Sequence, residues 1–126
     1  MFLYCNMVSI EKFREIVREF PEVEEAPHFD KEAFKIKKKI FVTLNQKETR
    51  CCLKLSPEDQ ATFALFDANV IYPVPNKWGK QGWTLVNLDK VEEEMLIDIL
   101  TQGFCHVAPE KISKKVMDEF LRKNKI

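Results

Sequence analysis

The apolar residues of this chain change period twice. From Ile10 to Phe20 they recur about every 3.6 residues, from Lys31 to Leu55 about every 2, and beyond Ser56 helical spacing returns. Neither an all-helical bundle nor an all-β sandwich tolerates that order. The helical stripes must cover one face of a sheet whose strands come mostly from the middle of the chain. At 126 residues, one domain is expected.

Ser9 is a predicted N-cap, followed by the stripe Ile10, Phe13, Ile16, Val17 and Phe20, and Pro21 stops this helix. Pro27 and Phe29 carry the chain into extended backbone. Alternation at Phe34 and Ile36, at Ile40, Val42 and Leu44, and at Cys51, Leu53 and Leu55 predicts an antiparallel meander. Its connections are a charged turn near Lys37 and Lys38 and a polar loop over residues 45–49. Ser56-Pro57-Glu58-Asp59 starts a second helix, expected to end near Ala68 or Asn69. Val70 to Tyr72 reads as a short strand cut off by Pro73 and Pro75, residues 76–82 as a loop, and Trp83 to Leu88 as the last strand, with Trp83 in the core. Asp89 and Glu92 have capping-box spacing ahead of the stripe Val91, Met95, Leu96, Ile99, Leu100 and Phe104. Pro109 ends that helix, and a final one carries Ile112, Val116, Met117, Phe120 and Leu121. The predicted class is α+β: a single domain over residues 1–126, with helices packed on one face of an antiparallel sheet. Residues 1–6 are expected to form a tail, since Met7 stands just before the first helical signal.

Three glycines, Gly79, Gly82 and Gly103, are too few and too dispersed for a dinucleotide fingerprint or a phosphate loop. Twenty basic residues cancel twenty acidic ones, which disfavours a strong nonspecific nucleic-acid binder. The charges are nevertheless blocked. Basic against acidic residues number 3 and 7 over 1–30, 8 and 2 over 31–54, 3 and 9 over 55–110, and 6 and 2 over 111–126. The four cysteines form no C-x-x-C pair, the usage of a reducing compartment. The opening run has neither a basic start nor a leader core, and no stretch approaches the ~18 apolar residues of a membrane span. A cytoplasmic monomer away from membranes is expected.

A set of ordered landmarks carries a family resemblance. Phe20-Pro21-Glu22-Val23-Glu24-Glu25-Ala26-Pro27-His28-Phe29, then Phe34 and Lys39-Ile40-Phe41, resemble the opening of the MmcQ/YjbR-like family. Leu53-Lys54-Leu55-Ser56, Tyr72-Pro73, Trp83 and the helix after Leu88 follow in the family's order. The resemblance implies a small bacterial protein with a frataxin/CyaY-like fold, two helices on a curved antiparallel sheet, in a family commonly labelled DNA-binding although its biochemical function is poorly defined. Two positions depart from the family pattern: Glu22 and Lys38 stand where it usually or often has glycine. A turn built with Lys38 must avoid positive φ or accept strain.

Few side chains carry recognisable chemistry. Ser9, Ser56 and Ser113 sit where helix caps belong, and no serine or cysteine has a base motif around it, so no catalytic residue is expected. Glu15, Glu19, Glu22, Glu24 and Glu25 are interrupted by Arg14 and Arg18, and His106 shares no helical face with Cys105; neither group reads as a metal site, and no cofactor is expected. Two interaction sites remain. Strand alternation places Lys35, Lys37 and Lys39 on one side, with Arg50 and Lys54 in a similar outward register, as a basic face for weak, salt-dependent DNA binding. The alternative is a groove near His28 and Trp78 that takes a small ligand or a protein partner. An enzyme without a visible active site is a third reading.

Overall fold

The computed structural model describes residues 8–124, so the expected N-terminal tail lies outside the described residues. The elements are α1 (Ile10–Arg18), β1 (Val23–His28), β2 (Lys31–Ile36), β3 (Lys39–Asn45), β4 (Arg50–Lys54), α2 (Pro57–Ala64), β5 (Ile71–Pro73), α3 (Lys77–Lys80), β6 (Trp83–Asn87), α4 (Glu93–Val107) and α5 (Glu110–Lys123). The six strands form one antiparallel sheet in the order β1-β2-β3-β4-β6-β5. The α+β class expected from the changing period is what the chain adopts.

Local chemistry accounts for most boundaries. The Ser9 hydroxyl accepts from the Lys12 amide at 3.0 Å, and Ser56 does the same for Asp59 at 3.1 Å. α4 starts at Glu93, later than the Asp89 spacing implied, because the Asn87 side chain takes the Asp89 N–H and holds a turn there. α2 ends at Ala64, before the expected Ala68, and the predicted loop at 76–82 contains α3, capped by Asn76.

α1 and α4 cover one sheet face. Phe13, Ile16 and Val17 of α1 and Leu96, Ile99 and Leu100 of α4 are buried against Phe34, Val42, Leu44 and Leu53. Phe20, Phe41 and Phe104 form a cluster of edge-on and tilted rings with centroids 5.1 to 5.2 Å apart, and Phe13 meets Phe34 edge-on at 5.9 Å. Gly103 lets α4 close onto β4: a Cβ there would come within 2.4 Å of Leu53 Cδ1. α5 packs on α4 through Ile112 and Val116 and has no fully buried residue. Both sheet edges resist further pairing: β1 carries Glu24, Glu25 and Pro27, and β5 is three residues long and ends on Pro73. Among the described residues no helix is long and apolar enough to cross a membrane.

Candidate functional site

The sheet face turned away from α1 and α4 holds the candidate site. Cross-strand partners share a face, so the pairings Ala33–Thr43, Thr43–Cys52, Cys52–Leu85 and Leu85–Tyr72 lay one row across five strands. Arg50 and Lys54 flank Cys52 on β4, opposite Asn87 and Trp83. The adjacent Cys51 points the other way and is buried in the core. Trp83, expected in the core, is only partly buried on this open face, because its partner Lys54 fixes its side.

Over this row lies a cavity of about 730 Å³. Its floor includes Thr43, Cys52 and Leu85. One wall is the β1–β2 connection, with His28, Phe29 and Lys31; the opposite wall is Val74, Pro75, Trp78 and Trp83. His28 and Trp78 therefore meet at one cavity although 50 residues separate them in the chain. Phe29 and Asp30 form a two-residue hairpin turn in which Phe29 has a φ of 61°, a position where such turns favour glycine. The residue is 94 % exposed, and its ring meets His28 edge-on at 5.0 Å. On the other side Trp78 is 49 % exposed. Its helix is fixed tightly: the Asn76 side chain accepts from the Trp78 amide, and a Cβ at Gly79 would sit 1.9 Å from the Val74 carbonyl. The Gln60 amide ties α2 to the Gly79 and Trp83 carbonyls and the Thr84 hydroxyl, at 3.0, 3.3 and 3.0 Å.

The cavity's charges are paired. The Arg50 guanidinium donates to Glu48 at 2.6 Å and to the Tyr72 hydroxyl at 3.4 Å. Lys31 lies 3.5 Å from Asp30, whose carboxyl is held below its ordinary range by a backbone hydrogen bond and then by that ammonium. Burial pushes the Cys52 thiol up to about 11, with Arg50 and Lys31 pulling the other way. At neutral pH the thiol keeps its proton. Among the described residues no three His, Cys, Asp or Glu side chains are grouped to hold a metal ion.

The expected basic face is divided. Lys35, Arg50 and Lys54 do lie on the open face. Lys39 does not: the register pairs it with Ile36, on the core side, because Phe41 is an extra residue in β3 and the connection at Lys37 and Lys38 takes only two residues. Lys37 sits in that turn, ion-paired to Glu22 at 2.7 Å, and Lys35 faces Glu24 across the strand pair. Strand alternation does not run through the turn at Lys37 and Lys38. Phe29, Thr43, Cys52, Trp83 and Leu85 were missed as site residues. A Phe-Asp pair between two strands was the one local signal for Phe29; the others required the strand register.

A sequence model of the YjbR family matches residues 18–106. The chain belongs to the YjbR family. Among solved structures, it is similar to the Deinococcus radiodurans protein DR2400, a domain designated DUF419, with a TM-score of 0.72 at 21% identity over 90% of this chain and 91% of that one. No curated protein matches the sequence.

Proposed function

We propose that this YjbR domain is a cytoplasmic, monomeric, non-enzymatic binding module that receives a small flat ligand in the open-face groove. The convergence of His28 and Trp78 on one cavity, with Phe29 exposed at its rim, carries the reading. Large cavities with aromatic walls and a few placed polar groups are where small ligands bind. A thiol that stays protonated suits binding better than thiolate chemistry. Titrating the protein with flat aromatic compounds should move the backbone amide resonances of Phe29, Thr43, Cys52 and Trp78 and leave those of α5 in place. A groove silent to every compound would sink the proposal.

A second reading, weak DNA binding, is favoured by the shared placement of Lys35, Arg50 and Lys54. With Arg50 paired to Glu48 and Lys35 facing Glu24, the log–log salt slope for duplex DNA should be no steeper than about −3. Labelled duplex at low ionic strength is the test, and an absence of binding there removes this reading.

A further inference from the structure

Folding alone leaves two features of the groove unexplained. Phe29 keeps an aromatic ring almost wholly in water on left-handed backbone, an arrangement that costs stability and clusters at functional positions. Trp78 is half exposed on a helix whose backbone is held from three sides, so the indole is presented rather than loosely tethered. Between these rings the cavity offers polar edges from His28, Thr43 and Asn45. Arg50 is anchored by Glu48 and Tyr72, and a guanidinium has five N–H donors, so several remain for another acceptor. Two further cations lie outside the cavity lining: Lys54 on the same sheet face, and Lys77 with its ammonium 5.7 Å from the centre of the Trp78 ring.

We infer that the groove recognises a nucleobase together with its adjacent phosphate, the base stacking on Phe29 and Trp78 and the phosphate meeting Arg50. The inference rests on the ligand-groove reading above. A base supplies a π-face for the exposed rings and a hydrogen-bonding edge for His28, Thr43 and Asn45. Negative charge extending past the ring is what Lys54 and Lys77 would meet, which a neutral flat molecule would leave unused. A free nucleotide and a single-stranded nucleic acid share this chemistry.

The full chain is titrated at low ionic strength with AMP, adenosine, indole, a thymidine oligomer of about ten nucleotides, within known single-strand site sizes, and a duplex of matched length. Amide shifts and tryptophan fluorescence are the readouts. AMP is expected to shift the groove amides and quench fluorescence, with adenosine about tenfold weaker for want of the charge-assisted contact. Trp78→Ala and Phe29→Ala should each weaken AMP about tenfold, at the low end of what one stacked base contributes. Both residues are exposed, so the fold should survive. Arg50→Gln should abolish the advantage of AMP over adenosine. An oligomer tighter than AMP supports the inference with a single strand as source; an oligomer no tighter than AMP supports it with a free nucleotide as source. Equal binding of AMP and adenosine overturns it, as does a duplex that outbinds the single strand. Groove amides that answer indole but neither AMP nor oligomer overturn it while sparing the ligand-groove reading. Silence toward all five probes overturns both.

Discussion

β2 ends in two very different turns. At one end Lys37 and Lys38 connect β2 to β3 with φ values of 49° and 71°; at the other, Phe29 and Asp30 connect β1 to β2 with Phe29 at 61°. Neither turn contains glycine, so both hold side chains on left-handed backbone. At the lysine turn the neighbourhood responds: Glu22, itself at a φ of 60°, pairs with Lys37 at 2.7 Å. Glu22 and Lys38, the two positions at which the family resemblance implies glycine, both fall on positive φ. The turn accepts the strain that glycine would avoid. At the aromatic turn the Phe29 ring meets His28 edge-on, and the residue stands almost fully exposed beside the groove. The same backbone expense thus accompanies a local ion pair at one end and a presented ring at the other.

The core sets the scale for testing that contrast. Phe13, fully buried against Phe34, should cost about 3–5 kcal/mol when changed to Ala. A loss under about 1 kcal/mol in urea denaturation would mean that the turns matter as much as the core. Next, Lys38→Gly should raise stability by about 1–2 kcal/mol, the size of the left-handed penalty, and leave groove binding untouched. Phe29→Gly should raise it by a smaller step, about 1 kcal/mol, because the contact with His28 goes with the ring. Unlike the lysine change, it should weaken ligand binding. If both glycine variants stabilise and neither alters binding, the two turns are equivalent and the contrast fails.

The smallest effect is expected from Glu22→Gln. The Glu22 carboxylate raises the Lys37 ammonium pKa, first through the hydrogen bond and then through its charge. A raised lysine pKa favours the folded state only while the lysine is protonated. The stability difference between wild type and variant should therefore be present at neutral pH and close as pH rises through the raised Lys37 value. Both side chains are about half exposed, so the difference should be small and shrink with salt. A gap that persists unchanged in alkali would show that Glu22 acts through its backbone instead.

The helices, the sheet and its antiparallel sense were legible because each is written locally. Ser9 and Ser56 cap where hydroxyls should, and alternation marks β2, β4 and the Val42–Leu44 part of β3, whereas the bulge puts Ile40 on the open face and Phe41 in the core, the reverse of the expected alternation. The site was legible in part. His28 and Trp78 were singled out by residue type, and they share a cavity. The side taken by Trp83 depends on pairing with Lys54, and that of Lys39 on a bulge at Phe41 and a two-residue turn. Register is a relation between strands, and no single stretch of sequence contains it.

The bounded edges of the sheet have a consequence for its colloidal life. An open face of Cys52, Tyr72, Trp83 and Leu85, each only partly buried, resembles the surface on which sheets laminate into fibrils. Lamination begins with strands added edge to edge, and here one margin is acidic and interrupted by Pro27 while the other ends after three residues on Pro73. Both margins therefore oppose the addition of a further strand. The margins thereby let the domain keep a sticky face open at high concentration, a tolerance that Pro27→Val together with Glu24→Val and Glu25→Val would erode.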